Sequence, residues 1–422
     1  MSEVIVIGGG VVGLTSAWWL AEAGYRVTLV EREAEVGSMA SYRNGGQLSY
    51  RYVSPLADAG VPLKALQWLF QPDGPLRFRL EADWRQWRWI AQFLGNCNAA
   101  ANRRTTATLL QLGDLSRHAM NELSLHVPLS DFAWRDAGKL VVYRSARLFE
   151  HAAMLAAADA EVLTPAATAL REPALAALQG DLAGGIFNPG EAVADCHAFC
   201  VKLMQRLESH PNFKGVLHRD VTGIRTDRGK VAWLCTAAGP LRADHFVLAA
   251  GIQSRDLAAS AGIYLPLYPL KGYSLTAPIR ADDVAPEISV TDFERKVLYA
   301  RIGSQLRVAA MVDMVGADTR INQRRVQGLV RLAKEAMPGA ADYDRADAWA
   351  GLRPATPSSA PIIGATRYGN LWLNVGHGPL GFTFACGTAS LLAGMLRGAS
   401  SPIALDGLTL RARHSRASGN PY

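Results

Sequence analysis

Gly8-Gly9-Gly10-Val11-Val12-Gly13 is the segment of this chain with the plainest chemical meaning. It sets G-x-G-x-x-G between a β-branched run, Val4-Ile5-Val6-Ile7, and an apolar helical stretch over residues 11–23 that Gly24 closes. Glycines in that place permit a tight turn and let a pyrophosphate come close to a helix N-terminus, whose free N–H groups and dipole favour an anion. The strand over 27–30 then ends on Glu31, where a carboxylate can accept hydrogen bonds from an adenosine ribose, although a solvated strand-end charge has the same sequence. The pattern is that of a dinucleotide site, and alone it does not separate NAD from FAD.

Two later segments do. Ser41-Tyr42-Arg43-Asn44-Gly45-Gly46-Gln47 is a second glycine-containing polar loop, suited to wrapping the remaining pyrophosphate and a ribityl chain. Asn374-Val375-Gly376-His377-Gly378-Pro379-Leu380-Gly381 aims a further helix N-terminus at the ligand, a positive dipole end suited to the N1/C2=O side of a reduced, anionic flavin. A nicotinamide has no need of that third anchor, so the expected cofactor is FAD. His377 is equally readable as a structural histidine.

The elements that must position these groups alternate in type. Continuous apolar strands that end in glycines, at the N-terminus and again over 245–251, are expected of a parallel sheet buried on both faces. A buried strand over 371–375 and a helix over 381–397 complete that domain, with a helix over 196–209 and strands near 216–218 and 231–234. Residues 51–184 are Trp- and Ala-rich and helical until the strand 139–143, and strand signals at 273–276, 297–301 and 306–310 suggest an antiparallel sheet. The expected fold is α/β (α+β, two domains): a Rossmann-like FAD-binding domain from residues 1–50, 185–265 and 350–410, interleaved with a substrate domain from 51–184 and 266–349. Residues 411–422 are expected to form a disordered tail.

Composition narrows the field. The 422 residues are 49% hydrophobic and 19% charged, an ordinary globular balance that excludes a disordered chain, and the length exceeds that of one small binding module. Five cysteines form no C-x-x-C pair and no Cys/His metal spacing, so neither a disulfide framework nor a metal site is expected. The net charge of +7 admits anionic cofactors, acidic substrates, lipid or nucleic acid. The apolar opening imitates a signal peptide, but it carries Glu3 where a leader has basic residues and glycines interrupt it, so a cytoplasmic start is expected. No other uninterrupted apolar run approaches the ~20 residues needed to span a bilayer.

The chain resembles the D-amino acid dehydrogenase branch of the glycine oxidase and D-amino acid oxidase flavoprotein family. The matching stretches, besides the loop ending Asn44-Gly45-Gly46-Gln47, are Gly60 through Leu66, Tyr268-Pro269-Leu270-Lys271-Gly272-Tyr273-Ser274-Leu275-Thr276, Trp349-Ala350-Gly351-Leu352-Arg353-Pro354, and 370–387. The resemblance implies that Arg353 clamps a substrate carboxylate over the flavin, a task its planar fork suits, with internal pairing to an acid as the alternative. It implies cofactor contacts from Gly8, Gly10, Val12, Gly13, Glu31, Arg32, Ser41, Asn44, Gly45, Gly46, Gln47, Val221, Ala250, Gly251, Arg353, Gly378, Leu380, Gly381, Phe382 and Thr383. Lys271 and Tyr273 are further candidates for the catalytic site, Tyr52 and Tyr50 weaker ones, and packing competes as an explanation for each. The implied activity is oxidative deamination of D-amino acids to 2-oxo acids and ammonia, with hydride passing from Cα to flavin N5 and electrons leaving to a quinone. D-Proline or hydroxy-D-proline dehydrogenation, oxidase chemistry, or a flavoprotein in a non-redox or RNA-modifying role are the alternatives. Arg43 departs from the branch, where a small residue is usual, and Pro379 stands where small-amine oxidases carry an arginine, which argues against glycine or sarcosine.

Trp68, Trp84, Trp87 and Trp89 lie among Arg77, Arg79, Arg85 and Arg88, groups suited either to anionic lipid or to core packing. No nucleic-acid motif accompanies them, so nucleic acid is not an expected partner. With a quinone acceptor, they lead to the expectation of a peripheral protein on the cytoplasmic face of the inner membrane.

Overall fold

The computed structural model describes residues 1–410 apart from 70, 72 and 73, so the tail expected at 411–422 lies outside the described residues. Numbering strands along the chain, one sheet runs in the order β18 (Ile362–Ala365), β19 (Leu371–Val375), β12 (His245–Leu248), β1 (Glu3–Ile7), β2 (Arg26–Glu31), β9 (Phe213–His218). All its neighbours are parallel except β18 against β19. The run Val4 to Ile7 is buried throughout because both faces of β1 are covered, which is why it lacks polar alternation.

The second sheet runs β17 (Asp347–Ala355), β13 (Tyr268–Pro278), β16 (Gln305–Met314), β15 (Val297–Ile302), β14 (Ser289–Asp292), β5 (Lys139–Tyr143), β7 (Gly184–Asn188), β6 (Glu161–Leu163). Short β4 (Leu76–Phe78) joins β16 in parallel. The pairs β13–β16, β13–β17 and β15–β16 are antiparallel, and β14–β5 is parallel. Two small pairs complete the strands: β3 (Gln47–Leu48) with β8 (Ala192–Val193), and β10 (Val221–Asp227) with β11 (Lys230–Thr236). The larger helices are α1 (Val11–Glu22), α2 (Val61–Leu69), α3 (Trp84–Asn96), α4 (Ala99–Ser124), α5 (Ala146–Met154), α6 (Pro165–Arg171), α7 (Cys196–Glu208), α8 (Ser254–Ser260), α9 (Gln323–Ala336) and α10 (Gly381–Leu396).

The topology moves three expected boundaries. β7 begins near 185, where the nucleotide domain was expected to resume, but its edges pair with β5 and β6 in the larger sheet. β17 likewise belongs to the larger sheet through Ala355, so Arg353 stands on that sheet. α4, expected in the substrate domain, packs Leu109, Leu112 and Met120 into the core shared by Leu14 and Trp18 of α1 and Phe384 of α10. A short apolar run carries no label for the sheet that will take it; pairing partners far along the chain decide.

Gly378–Leu396 corrects another expectation, being long and apolar enough to cross a membrane. Most of it is buried in the protein, because α10 lies against α1 and α4. Its small residues make that possible: a Cβ on Gly387 would fall 2.8 Å from the Ser116 backbone. Gly387→Val should therefore force the α4–α10 contact apart and cost about 1–3 kcal/mol, as overpacking does. Thermal unfolding checks this, and an unchanged melting temperature would contradict the close packing.

Candidate active site

The glycine turn divides its labour. Gly8 has φ +109°, and a Cβ there would meet the Ala249 carbonyl oxygen at 2.6 Å; one on Gly13 would meet the Gly8 oxygen at 1.8 Å. Both glycines let β1, α1 and β12 approach, and Gly13, expected as a cofactor contact, does not line the cavity. At Gly10 the nearest protein atom to a Cβ is Ser41 Oγ, 3.5 Å away, and the residue opens into the cavity with Val12. Val11 N–H donates to Ser41 Oγ at 3.0 Å, tying the second loop to the helix start. The Glu31 carboxylate accepts from the N–H of Gly9 and, at 2.9 Å, from that of Glu33, so it stands beside the turn. Arg32, Val221, Ala250 and Gly251 line this same end.

Further in, the second loop is shaped by its own polar groups. Asn44 Oδ1 accepts from Gly46 N–H at 3.0 Å, and Gly46 has φ +68° where a Cβ would strike Ile302 and the Ala194 carbonyl. The Gln47 side-chain carbonyl accepts from Lys139 Nζ at 2.8 Å, and its amide donates to Ser289 Oγ. Lys139 also donates to Ser49 Oγ at 2.9 Å and lies 4.3 Å from the centre of the Tyr52 ring. Burial pushes the Lys139 amine down to about 8 and the Tyr52 phenol up to about 12. Glu191 gathers the N–H groups of Tyr50, Arg51 and Tyr52 on one carboxylate, which bends the chain so that Tyr52 reaches the cavity wall. Tyr50 is buried away from that wall, with the Arg117 guanidinium 5.2 Å from its ring centre.

At the start of α10, Gly378, Leu380, Gly381 and Phe382 line the cavity, with Gly378 at φ +55°. Thr383, expected with them, is absent from the wall: its Oγ1 accepts from Ser49 N–H at 3.1 Å and its carbonyl from Ser116 Oγ at 2.6 Å. His377 is buried with Nε2 3.1 Å from Thr388 Oγ1, and burial holds its pKa at about 3, so the ring is neutral.

Arg353 closes the far end. It pairs in register with Leu270, and its side chain crosses β13 above Gly272, where a Cβ would sit 2.3–2.5 Å from the guanidinium. Nη1 donates to the Met311 carbonyl on β16 at 2.9 Å. Among the described residues no carboxylate pairs with it, and burial lowers its pKa only to about 10, leaving it charged at neutral pH. Arg43, by contrast, is paired with Asp347 at 3.1 Å at the cavity edge.

Of the neighbours of Gly272, Lys271 goes the other way, correcting the expectation for it, while Tyr273 lines the cavity but turns its hydroxyl into the core. Lys271 donates to the Arg320 carbonyl and is absent from the cavity wall. The Tyr273 hydroxyl donates to Asp313 at 3.0 Å, in the core that faces α9, where Asp313 also pairs with Arg325 at 2.9 Å.

These groups share one cavity of about 1290 Å³, running from Glu31 through the Asn44–Gln47 loop to Arg353. That exceeds the ~300–1,000 Å³ of an ordinary small-ligand pocket, as a dinucleotide with a substrate beside it requires. The DAO family profile, described as FAD dependent oxidoreductase, matches residues 3–395. The chain belongs to this family of FAD-dependent oxidoreductases. It is 48% identical over 393 residues to the D-amino acid dehydrogenase 2 of Pseudomonas aeruginosa, covering 93% of this chain and 94% of that one. It is 40% identical over 420 residues to the D-amino acid dehydrogenase of Paramagnetospirillum magneticum, covering 96% and 97%. The fold is similar to that of glycine oxidase from Geobacillus kaustophilus, with a TM-score of 0.74 at 20% identity over 98% of this chain and all of the other.

The residues present fit FAD. Gly10 would leave room for a pyrophosphate at the α1 N-terminus, Glu31 would meet the ribose, and the α10 N-terminus and Gln47 would flank the deeper end. Sequence reasoning missed Lys139 in this flavoprotein, although a lysine heading the apolar strand Lys139–Tyr143 is itself a signal. Gly10→Val should abolish flavin binding while Glu31→Ala only weakens it, as flavin absorbance of the purified variants reports. Stoichiometric FAD in Gly10→Val would contradict this placement of the pyrophosphate.

Proposed function

We propose that this flavoenzyme deaminates D-amino acids oxidatively, with Arg353 as the residue that binds the substrate carboxylate. The observation that carries the reading is the guanidinium itself: half-buried in the cavity wall, charged, without a carboxylate partner among the described residues, and facing the cavity. A charge in that state favours an anionic ligand that offers two oxygens to its fork. The names of the relatives at 48% and 40% identity support D-amino acids as the class.

Bound FAD supplies the two-electron acceptor for the Cα hydrogen and its electron pair. The protein's part is position and charge. Arg353 fixes the carboxylate, and the Met311 carbonyl fixes Arg353. The first N–H groups of α10 offer a positive dipole end where charge develops, and neutral His377 adds no competing charge. As the C–H bond breaks, the nitrogen lone pair forms the C=N bond, and water then converts the imino acid to a 2-oxo acid and ammonia. Arg353→Ala should keep its flavin yet lose about 2–5 kcal/mol of substrate interaction. Near-normal kcat/KM on the best D-amino acid would show that another group holds the carboxylate.

The acceptor in this reading is a membrane quinone, and the contact surface is α3. Trp84, Trp87 and Ala91 are exposed and recur on one helix face, while Trp89, Ile90 and Phe93 of the opposite face line the cavity, and Leu94, exposed, also borders it. Arg85 and Arg88 flank the exposed face, Arg85 paired with Asp256 and Arg88 over the Tyr264 ring at 3.8 Å. Binding to anionic vesicles should weaken with salt, and Trp84→Ser with Trp87→Ser should reduce it without loss of turnover on a soluble quinone. Absence of vesicle binding at any salt, or peroxide formed as fast as quinone is reduced, would remove this part of the proposal.

A further inference from the structure

The cavity holds a second cation that the reading above does not use. Lys296 lies in the turn between β14 and β15, directly before Val297, which pairs with Ala310. Ala310 directly precedes Met311, the residue whose carbonyl holds Arg353, and Lys296, Met311 and Arg353 all line the one cavity. Both Lys296, at φ +57°, and Met311, at φ +70°, adopt the left-handed conformation that side chains disfavour. Two such residues on one cavity wall are the kind of strain that concentrates at ligand sites.

Lys296 is a wall residue whose amine lies 3.7 Å from the Phe293 ring centre. Among the described residues it has no ion pair or hydrogen bond. Its acidic neighbours are committed elsewhere: Asp292 pairs with Arg144 at 2.9 Å, and Glu294 accepts from the N–H groups of Arg144 and Ser145. Asp58, the remaining one, lines the wall near Lys64 without pairing to Lys296. Crowding by protein and by the Lys64 charge lowers the amine to about 8, an environment that an anion would relieve.

We propose that Lys296 binds a second carboxylate, so that the preferred substrates are dicarboxylic D-amino acids, with the α-carboxylate on Arg353 and the side-chain carboxylate on Lys296. This rests on the D-amino acid reading. A small neutral side chain would leave the amine unanswered, and an amide would offer it a weaker acceptor without the charge.

The test is anaerobic flavin reduction of the holoenzyme by D-glutamate, D-aspartate, D-glutamine and D-methionine, in wild type, Lys296→Met and Lys296→Arg. A parallel arm measures perturbation of the flavin spectrum by glutarate and by butyrate. The expectation is that D-glutamate exceeds D-glutamine by about tenfold or more in kred/Kd, as a charge-assisted pair commands. Lys296→Met should erase that preference while changing D-methionine by less than about twofold, and Lys296→Arg should retain it. Equal use of D-glutamate and D-glutamine by the wild type, or an equal loss on all substrates in Lys296→Met, would overturn the proposal. If no D-amino acid reduces the flavin, the deamination reading fails, and Lys296-dependent preference for glutarate over butyrate still decides whether the second anion site exists.

Discussion

A guanidinium laid across a β-strand is the interaction on which the site depends. Arg353 starts on β17, crosses β13 and ends on the Met311 carbonyl of β16, a route open only because residue 272 has no side chain. One neutral carbonyl does not balance a buried charge, and breaking or withholding the partner of such a charge costs several kcal/mol. The sheet bears that cost while Asp313 and Arg325, directly behind the same strands, answer each other's charge. The contrast marks Arg353 as the charge kept for a ligand.

The rest of the architecture brings the cofactor to that charge. The loop from Ser41 to Gln47 is anchored at one end on the N-terminus of α1 through Ser41 and at the other on the larger sheet through Lys139 and Ser289. Arg307 of β16 donates to the Asn44 carbonyl, and Ser274 of β13 to that of Arg43. The loop thus takes its shape from both sheets at once. Thr383 and Ser116, each expected to be elsewhere or unnoticed, hold Ser49 and α10 in the same arrangement.

Local signals were legible in the sequence, and long-range ones were not. The glycine turn, Glu31 and the Asn44-Gly45-Gly46 loop act through neighbours a few residues away, so their types and spacing carry the meaning. Lys271 illustrates the limit: a strand sends alternate side chains to opposite faces, and β13 has a register shift between Lys271 and Tyr273. Nothing in Leu270-Lys271-Gly272-Tyr273 says which face meets the cavity until β17 supplies Arg353 above Gly272. Lys139 meets Gln47 across 92 residues of chain, and Lys296 shares a cavity wall with Met311 only because β15 pairs with β16. Short strands such as β7 likewise gave no hint of which sheet would take them.

Carboxylate binding in the Gly272→Ala holoenzyme tests the central claim most directly, because that change adds one methyl group where the guanidinium lies and removes no ligand-binding atom. The measurement is titration of the flavin absorbance with benzoate, a carboxylate that cannot be oxidised at Cα, in wild type and variant. The account predicts normal flavin content and a Kd raised by about tenfold or more in Gly272→Ala, the loss expected when a charge-assisted pair is displaced. An unchanged Kd would show that the carboxylate is held elsewhere and that the Arg353 crossing is only packing.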